Sequence, residues 1–380
     1  MNKKFNIWWI IAIILGVLLV GFGIFYFTYR RMVVKPNKVE VINKEITPTA
    51  TPTPDPLASY SILLLGYGGP QHEGGWLTDS IMVAKIDPRA EEVTLISIPR
   101  DLWVNIPIEK EETVKRKINE AYAIGISDKQ YPNKEIRFTG EAGGGELAKA
   151  VVEKVVGFKI DYFATLDFDG FVKIVDILGG INVNVERAFD DPRYPIEEKM
   201  NDSCEKSDEE IEALTATMSG EKLEKEFTCR YEELHFDRGF QLMDGELALK
   251  FARSRHSETD GGDFNRGARQ RLVVEAIKDR VINLGFVSKI VPTIKTLTYH
   301  IKTDITFKKM NELVLKVPEI AEYEIVSIAL TDRDILINDV ASTGQFVLMP
   351  EAGEDNWEEI YEYIENKGKI VIPTTIEEEI

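Results

Sequence analysis

The chain has 380 residues, and its formal net charge at pH 7 is -18. Hydrophobic residues make up 44% of it and charged residues 29%, which is enough apolar material for a packed core and excludes wholesale disorder. A general nucleic-acid-binding protein is normally basic, so the acidic net charge argues against that class.

A long apolar segment stands near the start of the chain. Residues 7–27 form an uncharged run of 21 residues, which as a helix would span roughly 30 Å, about the hydrocarbon core of a bilayer. Tryptophans stand at one end of the run and tyrosines at the other, as is typical of membrane interfaces. A cleaved signal peptide would have a shorter apolar region and a small-residue cleavage site. We therefore expect an uncleaved transmembrane helix within residues 1–35.

The charges around this segment are uneven, since residues 1–40 carry a net charge of +5 and the remaining 340 carry -23. Two lysines precede the span and four basic residues follow it, so a bare count favours an outside N-terminus. Large domains nevertheless translocate despite flanking charge. The run TPTATPTPDP, within a linker at 36–58, should be extended and stiff, like a spacer that holds a domain off a membrane. We expect a single-pass cell-membrane protein with a cytoplasmic N-terminus and an extracytoplasmic body.

Strand and helix patterns alternate through the body. Apolar runs between turn residues predict strands at Ser61–Leu65, Ser80–Ile86, Val93–Ile98, Tyr162–Asp167, Ile181–Val185 and Ile325–Leu330. Helical spacing predicts helices at Gly145–Val156, Gly170–Leu178, Asp244–Ala252, Asn265–Leu284, Met310–Val317 and Asn356–Asn366. Asp244 is expected to be an N-cap. The alternation predicts an α/β fold, an α-β-α sandwich around a mixed central sheet, with a core over 59–285 and an α/β extension over 286–380 packed on it.

An acidic stretch interrupts the core at about residues 190–234. It holds fifteen acidic residues against six basic ones and shows little strand pattern, so we expect a surface insertion. A calcium loop is the alternative, but the EF-hand spacing is missing. Both cysteines of the chain, Cys204 and Cys229, lie in this stretch. They could close a loop as a disulfide in an oxidising compartment, or they could be two unpaired thiols.

Arginines cluster in this otherwise acidic body. The cluster comprises Arg100, Arg253, Arg255, Arg266 and Arg269, with Asp101 and Gln270 beside them. Those within 266–270 fall on one face of a predicted helix, in line with its apolar stripe, and so should lie at the mouth of the core. Arginine suits a diphosphate because its planar fork matches two phosphate oxygens and keeps its charge. The alternative is a set of structural salt bridges to Asp79, Asp101 and Asp263.

The sequence lacks the GxSxG, HExxH and Walker motifs of common enzymes, and it has only four histidines. The run Gly143–Gly145 opens a predicted helix and could bind an anion there. A flexible loop is the more ordinary interpretation of three consecutive glycines.

The order of several motifs resembles the LytR-CpsA-Psr family. The motifs are LLLG, TDS, SIPRD, KINEAYA, LGGINVNV, MDGELAL, RSR and GDFNRGARQ, and the resemblance covers about residues 59–346. It implies a membrane-anchored, extracytoplasmic phosphotransferase of cell wall biogenesis. Such enzymes move a glycan from a polyprenyl-pyrophosphate carrier to peptidoglycan through a phosphodiester. Teichoic acids, capsules and arabinogalactan are the family's usual cargo.

The resemblance also implies roles for single residues. The pyrophosphate would be bound by Arg100, Arg253, Arg255, Arg266, Arg269 and Gln270. Asp79 would ligate Mg²⁺ or Mn²⁺, and Asp101 would hold an arginine or act as the base for the acceptor hydroxyl. An apolar groove would take the lipid tail, since each buried CH₂ can contribute roughly 0.8 kcal/mol.

The sequence departs from the family at the metal site. Many members place a second metal-binding aspartate just after the first strand, where this chain reads GYGGP at 66–70. Either the metal ion is held more weakly, or Glu73 or His72 substitutes for the missing carboxylate.

Other functions fit the same residues. A polyprenyl-pyrophosphate phosphatase would use the same arginines with water as the acceptor. A non-catalytic module would bind the lipid or the cell wall without turnover. A structural protein would use the arginines in buried ion pairs, and breaking one such pair typically costs about 3–5 kcal/mol of stability. The transferase is the function that we expect.

Overall fold

The computed structural model describes residues 29–37, 55, 57–70, 72, 74–283, 297–320 and 322–367. The predicted transmembrane span at 7–27, most of the TPTATPTPDP run and Glu73 lie outside these residues. No helix within the described ranges is both long enough and apolar enough to cross a bilayer.

The strands are β1 (Tyr60–Tyr67), β2 (Thr78–Asp87), β3 (Glu92–Ile98), β4 (Trp103–Pro107), β5 (Thr113–Lys117), β6 (Tyr162–Asp167), β7 (Ile181–Val185), β8 (Phe189–Pro195), β9 (Tyr231–Phe236), β10 (Gly239–Met243), β11 (Ile301–Thr303), β12 (Glu324–Ala329), β13 (Leu336–Val340) and β14 (Phe346–Pro350). The α-helices are α1 (Glu120–Ile126), α2 (Gly143–Val156), α3 (Phe168–Ile177), α4 (Asp208–Thr217), α5 (Glu221–Glu224), α6 (Gly245–Arg253), α7 (Gly262–Asn283), α8 (Phe307–Ile320) and α9 (Glu358–Glu365).

A six-stranded sheet lies at the centre, in the order β11-β6-β1-β2-β3-β12. The pairs β1/β6 and β3/β12 are parallel, whereas β1/β2, β2/β3 and β6/β11 are antiparallel, so the sheet is mixed as predicted. Each strand and helix predicted for the body is present, with its ends shifted by a few residues. Asp244 caps α6 as expected, because its carboxylate accepts a hydrogen bond from the amide of Leu247.

Helices cover both faces of this sheet. Along β1, Leu63 and Leu65 point to the face that holds α1 and α2, where the main apolar core lies. Ile62 and Leu64 alternate to the opposite face, where Val274 of α7 packs in the same cluster. A further core joins α3, α6 and α7 to the antiparallel pair of β7 and β10. The observed arrangement is a mixed α/β fold with a central mixed sheet.

The glycine run 143–145 forms the first turn of α2, so its interpretation as a flexible loop was wrong. All three glycines are buried. A Cβ on Gly145 would lie 2.3 Å from the ring of Phe163, and one on Gly144 would lie 2.6 Å from Ile126. The glycines therefore allow α2 to pack closely against β6 and α1, and close packing explains them without a bound anion.

The acidic stretch begins and ends in strands, which the sequence pattern did not indicate. β8 and β9 pair antiparallel, and Phe189, Asp191 and Tyr194 are the buried residues of β8. Its sequence, FDDPRYP, masks this alternation with charges and prolines. Between the two strands lie α4 and α5, and a disulfide joins Cys204 to Cys229. The stretch is thus a closed, ordered insertion attached to the body at both ends.

The segment after residue 285 contributes strands to the central sheet. β11 hydrogen-bonds to β6 at one edge, and β12 hydrogen-bonds to β3 at the other. The division of the chain at 285 stays a prediction, and the sheet continues across it. The start of the described chain also contacts this edge, since the amide of Val34 donates to the carbonyl of Thr303 at 2.9 Å.

Candidate active site

A cavity of about 510 Å³ lies between the central sheet and helices α3, α6 and α7. Its wall is largely apolar, with Leu64, Met82, Phe171, Ile174, Val274 and Ile277 among the lining residues. Charged and polar side chains form its rim: Asp79, Arg100, Arg253, Arg255, Arg266 and Gln270. Val274 and Ile277 of the apolar stripe of α7 line this space, and Arg266 and Gln270 of the same helix line it too. A pocket of this character suits an amphiphile with an anionic head group.

Arg100 follows β3 and points back to the neighbouring strand. Its Nη1 donates to Oδ1 of Asp79 at 2.5 Å, and its Nε lies 3.5 Å from Oδ2 of Asp101. Asp101 is buried, also pairs with Lys117, and does not line the cavity. Of the two predicted roles for Asp101, its position supports holding an arginine. Its other predicted role, as a base for the acceptor, stays a prediction that this position does not support.

Arg269 is buried within the protein instead of lining the cavity, and its side chain is only 3% exposed. Its Nε donates to the carbonyl of Phe251 at 3.0 Å, its Nη1 to the carbonyl and the carboxylate of Asp260, and its Nη2 to the carbonyl of Ser254. These bonds fix the end of α6 and the loop that follows. The position of Arg269 does not support the prediction that it binds pyrophosphate, because the helical spacing gives the face of a residue but not its bonding partners.

Arg253 is the last residue of α6, and its guanidinium lies 4.3 Å from the centre of the Phe168 ring. Its Nη1 donates to Oε1 of Glu197 at 2.8 Å. The same oxygen lies 2.9 Å from Nδ1 of His72. Glu197 belongs to the acidic insertion, and no motif in the sequence indicated that it reaches the site. The insertion therefore contacts the arginine rim directly.

Asp191 lies on the cavity wall and is fully buried. Its Oδ2 accepts hydrogen bonds from the Ser254 hydroxyl at 2.6 Å, the Arg255 amide at 2.9 Å and the His256 amide at 3.2 Å. Burial raises the pKa of the Asp191 carboxyl, but these bonds and one from the Arg193 amide outweigh burial, so the pKa lies below its usual value. Asp191 thus fixes the backbone that carries Arg255. Sequence could not distinguish it from the other acidic residues of the insertion.

Asp79 is the one predicted metal ligand on the rim. Its side chain is 36% exposed, and its Oδ1 pairs with Arg100. His72 pairs with Glu197, and Glu73 lies outside the described residues. Within the described part of the chain, the only cluster of three candidate ligands is Asp202 with Cys204 and Cys229, whose sulfurs form the disulfide. Magnesium commonly takes one or two carboxylates together with substrate phosphates, so Asp79 fits as a single protein ligand.

Residues 26–356 match the model of the LytR_cpsA_psr family. The polyisoprenyl-teichoic acid–peptidoglycan teichoic acid transferase TagU of Enterococcus faecalis is 27% identical over 260 residues, which cover 67% of this chain and 65% of that protein, slightly under two thirds of its length. The transferase of the same name from Bacillus mycoides is 27% identical over 318 residues, covering 82% and 83%. The crystal structure of B. subtilis TagV has a TM-score of 0.52 at 24% identity, covering 82% of this chain and 98% of TagV. That structural likeness supports the fold.

Proposed function

Because the chain belongs to the LytR_cpsA_psr family, we propose that it transfers a glycan from a polyprenyl-pyrophosphate carrier to peptidoglycan. The observation that carries this proposal is the cavity, since apolar side chains and four arginines line the same space. The wall would hold the polyprenyl tail, and the rim would hold the pyrophosphate. The names of the E. faecalis and B. mycoides relatives support this class of donor and acceptor.

The chemistry asked of the site is mainly positioning and charge stabilisation. The acceptor oxygen bonds to the phosphorus that carries the glycan, the bond from that phosphorus to the bridging oxygen breaks, and polyprenyl phosphate leaves. Arg100, Arg253, Arg255 and Arg266 would orient the two phosphates and offset the charge on the leaving oxygens. Gln270 would donate a neutral hydrogen bond beside them. Asp101 and Arg269 would act indirectly. Asp101 would hold Arg100 in place, and Arg269 would hold the loop that carries Arg255.

We also propose that Mg²⁺ or Mn²⁺ is the cofactor and that Asp79 is its protein ligand, with phosphate oxygens completing the coordination. Bound there, the ion would add positive charge where the P–O bond breaks. Asp79 would then exchange part of its contact with Arg100 for the metal ion, which leaves Arg100 available to the phosphates.

Localisation at the cell membrane is part of the same proposal. The uncharged run at 7–27 supports a single span, and the lipid donor requires a site close to a bilayer. The disulfide between Cys204 and Cys229 supports an extracytoplasmic body, because disulfides persist in oxidising compartments.

The test uses the full chain in detergent with a polyprenyl-pyrophosphate-linked oligosaccharide, peptidoglycan fragments and Mg²⁺. Mass spectrometry should detect glycan joined to peptidoglycan through phosphate. Arg100→Ala should abolish the product without unfolding the protein. Arg137→Ala, which removes an exposed arginine paired with Glu135, should leave the yield of product unchanged. Cleaved lipid without an adduct would instead identify a phosphatase, and bound but unchanged lipid would identify a binding module.

A further inference from the structure

Five side chains that line the cavity could accept a proton: Asp79, Asp167, Asp191, Glu224 and His256. The first three already have hydrogen-bond partners. Asp79 pairs with Arg100, and Asp167 bonds to the Gly170 amide and to His300. Asp191 accepts from the donors described above. Glu224 and His256 differ from them. Neither side chain makes a hydrogen bond to any residue that the structure describes, although each has a fully buried polar atom, Oε2 of Glu224 and Nδ1 of His256.

These two side chains form a cluster with a third orphaned atom, Nε of Arg193. Oε2 of Glu224 lies 3.5 Å from Nε2 of His256 and 3.9 Å from Nε of Arg193. Both distances exceed those of good charge-assisted hydrogen bonds. A buried polar atom without a partner destabilises the folded state, so native proteins rarely leave several in one place. The cluster therefore has the character of a site that a polar guest completes.

The cluster lies beside the arginine rim. His256 follows Arg255 in the chain, and Asp191 binds the amides of both. Burial raises the pKa of the cavity residue Tyr231, and the charge of Glu224 raises it further while Arg255 opposes it, so both groups lie close to that phenol. A guest that hydrogen-bonds to Glu224 and His256 would thus be adjacent to phosphates bound by Arg255.

We propose that Glu224 and His256 form the subsite for the acceptor, a sugar hydroxyl of peptidoglycan, an inference that rests on the proposed function. A carboxylate repels the phosphates of the donor but accepts a hydrogen bond from a hydroxyl, which favours the acceptor over the donor as the guest. The carboxylate of Glu224, whose side chain is 24% exposed, accepts that bond and takes the proton as the hydroxyl oxygen bonds to phosphorus and polyprenyl phosphate leaves. Nε2 of His256 faces the hydroxyl oxygen of the acceptor and orients it.

This assignment gives the acidic insertion a function. Glu224 ends the short helix α5, which lies inside the segment closed by the disulfide from Cys204 to Cys229. Met200 and Pro195, from the same part of the chain, also line the cavity. The insertion therefore supplies the acceptor side of the site, whereas the arginines of the body supply the donor side.

The first test measures equilibrium binding of a soluble peptidoglycan fragment to the full chain in detergent, with polyprenyl phosphate present. Glu224→Ala and His256→Ala should each weaken binding by on the order of tenfold or more, because a charged or buried hydrogen bond is lost. Glu226→Ala is the matched control, since Glu226 is exposed and two residues away. Affinity for polyprenyl pyrophosphate should not fall in any of the three. Circular dichroism and thermal unfolding establish that each variant is folded.

The second test uses turnover. Glu224→Gln keeps the size of the side chain but cannot take a proton, so kcat should fall by on the order of a hundredfold while KM for the fragment changes little. Unchanged fragment binding in both alanine variants would overturn the subsite, as would a loss confined to donor binding. If the wild type forms no adduct, yet fragment binding is lost in the two variants only, the transferase proposal fails and the subsite stands.

Discussion

Arg253 donates from Nη1 to Oε1 of Glu197 at 2.8 Å, joining the last residue of α6 to a glutamate of the acidic insertion. The same carboxylate oxygen contacts His72 at 2.9 Å. Glu197 therefore orients Arg253 over the Phe168 ring, but it also places a negative charge where an anionic donor would bind. Orientation and charge have opposite effects on donor affinity, and one substitution separates them.

Glu197→Gln should tighten binding of polyprenyl pyrophosphate by about threefold to tenfold. The amide oxygen still accepts the hydrogen bond from Arg253, so its orientation is kept while one repelling charge is removed. Isothermal titration of the full chain in detergent would measure the change. Glu198→Gln, the same charge change at the adjacent exposed residue, should leave the affinity as it is. Weaker binding in Glu197→Gln would show that the charge itself helps to hold Arg253.

Arg253→Ala and Arg269→Ala should fail in different ways. Arg269 is buried and bonded to three carbonyls and to Asp260, so its removal should lower the free energy of unfolding by about 3–5 kcal/mol. Arg253 is partly exposed, so its removal should change stability by less than about 1 kcal/mol while donor binding is lost. Urea unfolding and lipid binding measured on the same samples would distinguish the two. Equal destabilisation would contradict the assignment of Arg253 to the substrate.

Asp191→Asn should destabilise the protein by about 1.5–3 kcal/mol at neutral pH, because several hydrogen bonds to a charged group are weakened. The folded-state pKa of Asp191 lies below its ordinary value of 3.8. Its contribution to stability is therefore present above about pH 4 and is lost as the pH falls through the lower folded value. The variant should thus lose less stability than the wild type on acidification below pH 4.

The measurement for Asp191 is the unfolding midpoint of both proteins between about pH 2.5 and 7. Asp169→Asn, at an exposed position in the first turn of α3, serves as the control and should follow the wild-type curve. Parallel curves for Asp191→Asn and the wild type would mean that Asp191 is not the group responsible.

Val274→Phe should reduce the affinity for a full-length polyprenyl pyrophosphate by about tenfold and leave a short-chain analogue unaffected. Val274 lines the apolar wall, and a larger ring there displaces lipid methylenes worth roughly 0.8 kcal/mol each, so two of them account for the factor of ten. Binding of lipids of graded length would measure it. Val340→Phe, on an exposed strand position, is the control. Equal loss for long and short lipids would place the tail elsewhere.

Removing the disulfide with Cys204→Ser and Cys229→Ser should lower stability by about 3 kcal/mol, the loop-closure effect for a sequence separation of 25 residues. Because Glu224 lies inside the closed segment, binding of the peptidoglycan fragment should weaken more than binding of the lipid donor. Fragment and lipid titrations of the double variant would compare the two. An equal loss of both would show that the disulfide supports the whole body instead of the acceptor side.

The central strands and the long helices could be predicted from the sequence because their apolar patterns are regular and their caps are local, as with Asp244. β8 could not, since its buried residues alternate with charges and prolines that resemble a loop. At the site, the spacing of Arg266, Arg269 and Gln270 fixed a common helix face, but only the fold shows that Arg269 bonds to carbonyls of α6 and its loop. Asp191 and Glu224 reach the cavity, and Glu197 reaches Arg253 on its rim, through a segment that the pairing of β8 with β9 holds against the body. That pairing is a contact between distant residues that composition cannot reveal.

Residues 29–34 contact β11 and the helix after it, and in the proposed membrane-anchored protein this contact would set how high the body stands above the bilayer. Tyr29 packs on Phe307 at 5.1 Å, and Val34 is 1% exposed beside Thr303. If the span ends at residue 27, the two residues before this contact reach about 7 Å at most. The run TPTATPTPDP follows this contact in the chain, and its role as a spacer stays a prediction. The proposed anchor would then also fix the rotation of the body over the membrane. Ile301 of β11 lines the cavity, so the cavity would lie at the anchored edge of the sheet. The donor would then be bound with its phosphates still at the head-group level.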